Sequence, residues 1–369
     1  MKNITFHFNH IYFLFIVSAI LYSFRDYLNK KTIINEILPS YKLIIMYLGE
    51  TLSGFIYLGV KYSLNENEKK LSSKLFNPFE ERYKKKRKES LKIYFTIFIG
   101  ALIDGIGCYN YKYFYNYNMI KFEKIFDELE ILCLCIFLCL NESYYLNLPK
   151  YRHHYLGLIL IFISLFIVMI TNLINIGIEH LYYFILFLIN VIESQCIMSF
   201  FHSLEKILNY RYFINIYKLL FLEGLFGFLI MILSCGIYTI FDHNYIFNIF
   251  EKINTELLIY SFFYILFSLF FNIIKLKIIE IKSPSYNIIP NLLRVIIIDI
   301  FINKRDFTFD FLLYNIFSLL GAFIFCEIIT LNFFNLDENT IIKTRERGKL
   351  ETIDTLSDLN QLNISIILN

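Results

Sequence analysis

The sequence predicts an all-α integral membrane protein with ten transmembrane helices. Hydrophobic residues make up 57% of the chain and charged residues only 18%, whereas soluble domains average about 45–50% and about 25%. The apolar segments are roughly 20 residues long, the length a helix needs to cross about 30 Å of hydrocarbon. Since backbone groups in lipid must be paired within the protein, runs of this length predict helices.

Ten apolar segments have this length, and two of them, 116–140 and 286–304, carry several charges. The first of the ten spans, 10–28, has no small-residue cleavage site before Arg25, so it is predicted to be a retained helix and not a removed signal peptide. The spans are 10–28, 40–60, 92–111, 116–140, 155–173, 180–202, 213–240, 257–276, 286–304 and 311–334.

The distribution of basic residues predicts the orientation. Loop 61–92 holds eleven Lys or Arg against five Glu, while the loop at 174–179 has no Lys or Arg. Basic loops stay on the cytoplasmic side. We therefore expect a cytoplasmic 61–92 loop, cytoplasmic termini and a flexible cytoplasmic tail at 335–369.

Several charges lie within the predicted spans. A charge at mid-bilayer costs about 2.5–3.5 kcal/mol on insertion scales, so Glu50, Asp104, Glu223 and Arg294 are expected to face the bundle interior or a water-filled cavity. No carboxylate lies one helical turn from Arg294, which favours a cavity position and substrate contact. Two alternatives stay open. Charges near span ends, such as Lys121, Lys218 and Glu327, reach the interface, or buried charges pair and only lock the helices.

Matched polar positions suggest two halves, 1–173 and 174–334. The second span of the first half contains Gly49-Glu50, and the second span of the other half contains Glu223-Gly224. Both fourth spans hold a cation, Lys124 in one and Arg294 in the other. Such a pattern is typical of internal repeats in secondary transporters, whose substrate sites lie at the repeat interface.

Several segments carry a family resemblance, in the order in which the family would place them. They are Tyr47-Leu48-Gly49-Glu50, Ala101-Leu102-Ile103-Asp104, Leu204-Glu205-Lys206-Ile207-Leu208, Leu222-Glu223-Gly224-Leu225-Phe226-Gly227, Phe270-Phe271-Asn272, Ser283 to Arg294, and Leu320 to Ile328. With these segments the chain resembles the drug/metabolite transporter superfamily, in its nucleotide-sugar-transporter-like branch of solute carriers (EamA-like).

The resemblance implies two inverted five-helix repeats, cytoplasmic termini and a central cavity open alternately to either side. Glu50, Asp104, Glu205, Lys206, Glu223, Arg294 and Glu327 match charges of the family pattern. We expect substrate-binding or coupling roles for Glu50, Asp104, Lys124, Glu223, Asn291 and Arg294, and structural or gating roles for Gly49, Glu205, Lys206, Gly224 and Glu327. Four positions depart from the family pattern. Lys124-Ile125 replaces Arg-Gly, Asn291 replaces an Asp, and Asn287 replaces an Arg.

The leading functional hypothesis is a secondary transporter of a small polar or anionic metabolite, nucleotide-sugar-like as one alternative. The expected location is an intracellular membrane of the Golgi, endosome or lysosome type. We expect no cofactor, metal or nucleic acid, with lipid and a small-molecule substrate as partners and a homodimer left open. A scaffold or adaptor that retains the fold is the alternative. An enzyme is disfavoured because the adjacent histidines, His153 and His154, have no nearby carboxylate in the sequence.

Overall fold

The computed structural model describes residues 4–6, 11–30, 39–63, 87–118, 123–148, 150–173, 181–212, 214–241, 254–302, 308–331 and 340. The described chain is a bundle of helices with one two-stranded ribbon. The helices are α1 (Ile11–Lys30), α2 (Pro39–Thr51), α3 (Ser53–Ser63), α4 (Arg87–Asn118), α5 (Glu123–Tyr145), α6 (Arg152–Leu173), α7 (Leu181–Tyr212), α8 (Ile216–Phe241), α9 (Thr255–Ile281), α10 (Ile288–Ile297) and α11 (Phe309–Phe325).

Seven helical segments of the described chain are long and apolar enough to cross a membrane. They lie in α1, the α2–α3 pair, α4, α6, α7, α8 and α9, and α11 is a shorter apolar helix. Large apolar side chains on these helices point outward, among them Phe55, Phe162 and Leu233. Many exposed apolar side chains on helices of this length suit a hydrocarbon solvent, so the chain has the character of a multi-pass membrane protein.

Each of the ten predicted spans overlaps a helix, but some predicted ends are wrong. Residues 116–118, assigned to the fourth span, continue α4, and α5 begins only at Glu123. The run that ends α4 contains no proline or glycine after Gly107, so nothing in it stops the helix earlier. Acidic residues at the start of α5 suit a helix N-terminus. Residues 64–86 of the basic loop and the predicted tail, Thr340 apart, lie outside the described residues.

The tenth predicted span also ends too late, because α11 stops at Phe325. Glu327 has a left-handed backbone (φ 55°), its N–H donates to Ile324 O at 3.1 Å, and the Ile328 N–H donates to Phe323 O at 2.8 Å. This pair of bonds closes a helix C-terminus. Glu327 is therefore not inside a helix, contrary to the sequence prediction.

After this cap, β2 (Ile329–Leu331) pairs antiparallel with β1 (Ile4–Phe6), with Ile4 opposite Leu331 and Phe6 opposite Ile329. The ribbon places the start of α1 and the end of α11 at the same end of the bundle. The Cys326 thiol contacts Ser285 O at 3.4 Å, and His153 contacts Glu327 at 2.8 Å. The α5–α6 and α9–α10 connections therefore lie at that end too.

The second predicted span bends at Leu52, between α2 and α3. The Leu52 N–H is shared between Leu48 O and Gly49 O, at 3.3 and 3.2 Å. The Ser53 hydroxyl donates to Glu50 O at 2.6 Å and to Tyr217 O on α8 at 3.1 Å. Hydroxyls that bond to helix carbonyls commonly bend helices. The bend lies beside Glu50, and the Ser53 hydroxyl links the backbone of Glu50 to that of α8.

Glycines allow the closest helix contacts. A methyl group on Gly224 would lie 2.6 Å from Glu50 Cβ, and one on Gly49 would lie 2.7 Å from Ile265 O, so α2 is in backbone contact with both α8 and α9. Gly157 on α6 and Gly321 on α11 face one another. A methyl group added to either glycine would lie 2.7 Å from the carbonyl oxygen of the other. Small residues at such crossings drive helix association in membranes.

Candidate functional site

A cavity of about 170 Å³ lies between the helices, and residues from α1, α2, α4, α5, α7, α8, α9 and α10 line it. Five of the ten buried Asp, Glu, Lys and Arg residues in the described part of the chain line it. The basic side chains in its wall are Arg25, Lys42, Lys275 and Arg294, and the acidic ones are Asp26, Glu50, Asp104, Asp127, Glu130 and Glu223. The formal balance of these described residues is −2.

Glu50 and Asp104 each accept a hydrogen bond from a neutral side chain. Asn272 on α9 donates to Glu50 Oε1 at 2.7 Å, and the Tyr47 hydroxyl on α2 donates to Asp104 Oδ2 at 2.9 Å. Both carboxyl groups are buried. These bonds compensate part of the desolvation of the two carboxyls and fix their orientation toward the cavity.

Lys275 on α9 is the basic residue of the cavity wall between α7 and α9. Its ammonium lies 2.9 Å from Glu205 Oε1, and the other oxygen of Glu205 lies 3.0 Å from His202 Nδ1. Glu205 is buried behind the cavity wall, whereas Lys275 and His202 line it. The pair joins α7 to α9 while the lysine still contributes a positive charge to the cavity.

Glu223 differs from the other wall carboxylates. It is only 3% exposed, lines the cavity and interacts electrostatically with Glu205, Lys275, Glu50 and Asp104. Within the part of the chain that the structure describes, its carboxylate makes neither a hydrogen bond nor an ion pair. A buried carboxylate of this kind is a candidate for a ligand contact.

Arg294 lines the cavity but is not alone there. Its guanidinium lies 3.1 Å from Asp26 on α1 and 3.4 and 3.8 Å from Asp127 and Glu130 on α5. It also lies over the ring of Tyr22, 4.6 Å from the centroid. The sequence suggested an arginine without a neutralising carboxylate, but three other positions supply carboxylates across helix interfaces. Asn291, one turn earlier on α10, lines the cavity as well.

Arg25 on α1 is held by aromatic rings. Its guanidinium stands 4.5 Å from the Tyr22 ring centroid and 4.6 Å from that of Phe271 on α9. Tyr22 thus contacts the guanidinium groups of both Arg25 and Arg294. Stacking on aromatic faces stabilises Arg25 at the cavity wall, whereas Arg294 is also surrounded by carboxylates.

Lys206, predicted to be structural or gating, lies outside the cavity wall. Its ammonium donates to three carbonyls at the end of α9, Ile279 O at 2.7 Å, Glu280 O at 2.9 Å and Lys282 O at 2.8 Å. Helix C-termini leave such carbonyls unpaired and carry partial negative charge. Lys206 therefore caps α9 from α7.

A second polar cluster lies at the ribbon end of the bundle. Glu142 on α5 accepts from the Ser285 N–H at 2.7 Å, from the Ser285 hydroxyl and from Lys150 in the α5–α6 connection. Burial opposes the charge on Lys150, but the Glu142 carboxylate outweighs it and raises the pKa of Lys150. The cluster joins two connections at one end of the bundle.

The sequence showed no carboxylate near His153 and His154, but the fold supplies one. His153 Nε2 lies 2.8 Å from Glu327 Oε1, and the possible ligand atoms of the three residues lie within 4.8 Å of one another. However, His154 Nδ1 accepts from the Tyr151 N–H at 3.2 Å, so the proton of a neutral ring sits on Nε2. That nitrogen has no lone pair for a metal, and the group fits a hydrogen-bonded link between α6 and the α11 cap.

The structure brings five of the six predicted binding or coupling residues to one cavity: Glu50, Asp104, Glu223, Asn291 and Arg294. Lys124 belongs to α5, but its side chain lies outside the described residues. Sequence reasoning missed Arg25, Asp26, Lys42 and Lys275. All four lie within three residues of the end of a predicted span, where charges were expected to reach the interface.

No family model and no curated protein matches this chain. Among solved structures, one described only as "Crystal structure of protein" aligns with a TM-score of 0.51 and 11% identity. The alignment covers 86% of this chain and 97% of that one. At this identity the similarity concerns the fold alone. The helical bundle has a counterpart of nearly the same extent among known structures.

Proposed function

We propose that the chain is a secondary transporter that moves a small polar metabolite by alternating access, as the family resemblance implies. The observation that carries the proposal is the convergence of ten charged side chains on one cavity between membrane-capable helices. Charges at membrane depth are expensive, and when they face a shared cavity they mark substrate and ion pathways.

The packing of α2 on α8 supports the proposed inverted repeat of ten spans. These helices hold the second positions of the two halves, Gly49-Glu50 and Glu223-Gly224. Gly224 packs on Glu50, Gly227 on Tyr47 and Gly54 on Phe221, so the numbers rise on one helix as they fall on the other. An antiparallel crossing centred on the matched positions is what a two-fold axis between the halves would produce.

The wall chemistry bears on the substrate. Arg294 is surrounded by three carboxylates, so it offers less attraction to an anion than an unpaired arginine would. The cavity, at about 170 Å³, is also below the roughly 300–1,000 Å³ of drug-sized ligand sites. Both points favour a small polar metabolite over a nucleotide sugar. An intracellular membrane, cytoplasmic termini and the absence of a cofactor remain parts of this proposal.

The alternative is an adaptor that keeps the fold without transport. Liposomes that contain purified protein can be loaded with a complex metabolite extract, and the lost compounds identified by mass spectrometry against protein-free liposomes. Transport predicts protein-dependent loss of particular metabolites that saturates with concentration. Folded protein that releases no metabolite in either membrane orientation would support the adaptor and contradict the transporter.

A further inference from the structure

Among the described residues, the cavity wall has six carboxyl side chains and four basic ones. Asp26, Asp127 and Glu130 lie around the Arg294 guanidinium. On the α7–α9 side of the cavity, Lys275 forms an ion pair with Glu205, which lies behind the wall. An entering anion would therefore find Arg294 and Lys275 already paired with carboxylates. An entering cation would meet more carboxyl groups than basic groups.

Glu223 supplies the specific contact. It is nine-tenths buried or more, it lines the cavity, and among the described residues no donor reaches its carboxylate. Its neighbours Glu50 and Asp104 are already bonded, by Asn272 and Tyr47. A buried carboxyl group without a hydrogen-bond donor is costly, and a ligand with N–H groups would supply the missing hydrogen bonds.

Aromatic residues complete the wall and suit an organic cation. Tyr22, Phe201, Tyr264 and Phe271 line the cavity, and Arg25 and Lys275 already lie against the rings of Phe271 and Phe201, at 4.6 and 5.8 Å. Aromatic faces attract ammonium groups and contact the carbon skeleton that carries them.

We propose that the cavity binds a small metabolite bearing an ammonium group, whose N–H groups donate to Glu223. This inference rests on the proposed transporter function and narrows the class of substrate that the transporter would move. Binding itself can be measured without transport.

Three probes share a phenylethyl group and differ in the charged groups attached to it: β-phenylethylamine, phenylalanine and 3-phenylpropionate. Titration calorimetry and thermal unfolding of the detergent-purified full chain at neutral pH should show binding of the amine and of phenylalanine. The acid should not bind. Glu223→Gln, which keeps the size of the side chain, should weaken amine binding at least about tenfold, the loss expected for one charged hydrogen bond.

Glu256→Gln is the matched control, because Glu256 is exposed in the first turn of α9 and away from the cavity. It should bind the amine as the parent does. If Glu223→Gln does not fold, Glu223→Asp keeps the charge but withdraws it by one methylene and should also weaken binding. The proposal is overturned if the acid binds as well as the amine, if no ammonium probe binds, or if both Glu223 variants bind like the parent.

The liposome experiment separates this inference from the proposed function. Transport of an anionic metabolite would keep the transporter and remove the ammonium site. Amine binding to Glu223 without transport of any metabolite would keep the site and remove the transporter.

Discussion

The ammonium of Lys275 on α9 lies 2.9 Å from the carboxylate of Glu205 on α7, and both side chains are largely buried. Glu205 has one further side-chain contact, the His202 ring at 3.0 Å, so removal of the lysine leaves the carboxylate with a single partner among the described residues. The pair therefore links the stability of the bundle to the charge of the cavity, which Lys275 lines.

Lys275→Met should destabilise the protein by about 3–5 kcal/mol, because it leaves Glu205 buried without its cation. The double variant Lys275→Met with Glu205→Gln should recover most of this loss, since it removes both charges. Thermal unfolding in detergent measures both.

Lys277→Met is the control, two residues further along α9. Its ion pair with Glu280 is partly exposed, so its loss should cost at most about 0.5 kcal/mol. Equal destabilisation by the 275 and 277 substitutions would contradict a special role of the buried pair.

Lys206→Met should loosen the end of α9. Three carbonyls would lose their common donor, and the last turn of the helix would fray. Hydrogen exchange should accelerate at the amides of residues 278–282, while amides in the middle of α9 stay protected. Lys218→Met, a half-buried lysine on α8, is the control and should leave exchange in α9 unchanged. Unaltered protection at 278–282 in Lys206→Met would show that other contacts hold this helix end.

Gly321→Ala tests the contact between α6 and α11. The added methyl group would lie 2.7 Å from Gly157 O and 3.0 Å from Ile161 N, so the backbones must separate. Overpacking of this kind costs about 1–3 kcal/mol. Gly236→Ala is the control, because a methyl group there meets no atom within 4 Å. It should be neutral or stabilise α8 by up to about 1 kcal/mol. A melting temperature for Gly321→Ala at or above that of the parent would refute the close crossing.

The helices were predictable because hydropathy is a local property of the chain. Each predicted span overlaps a helix, since a run of apolar residues has few other ways to satisfy its backbone in lipid. Helix ends were less predictable. The cap at Glu327 depends on a left-handed residue that is not glycine, and the sequence gives no sign of it.

The partners of the site residues were not predictable in the same way. Arg294 pairs with Asp26, 268 positions away in the sequence, while Asp299, only five positions away, is not among its ion-pair partners. Glu327 likewise meets His153, 174 positions away. Burial cost identifies the charges in the middle of a span, but which charges meet depends on the packing of the helices. Lys275 lies next to the end of its predicted span, so this rule did not select it.

The orientation predicted from the basic loop can be tested in sealed vesicles. Loop 61–92 carries eleven Lys or Arg against five Glu, a net charge of +6 that opposes translocation. Trypsin added from the cytoplasmic side should cut this loop and leave the connection at 242–253, which contains Lys252, intact until the vesicles are opened. Cleavage at Lys252 with protection of the basic loop would reverse the orientation.

The last prediction uses a native cysteine as a probe of the cavity. Cys108 on α4 lines the cavity, whereas Cys135 and Cys326 are buried in the core and Cys196 is exposed on the outer face of α7. Charged methanethiosulfonates cross lipid poorly and reach a thiol only through water. In membranes, a reagent of this type should therefore modify Cys108, and Cys108→Ser should remove that modification while Cys326→Ser leaves it unchanged. Because the wall carries an excess of carboxylates, the trimethylammonium reagent should react faster than the sulfonate reagent, and high salt should narrow the difference. Equal rates for the two reagents would argue against an acidic cavity, and no reaction at Cys108 would mean that water does not reach the cavity from either side.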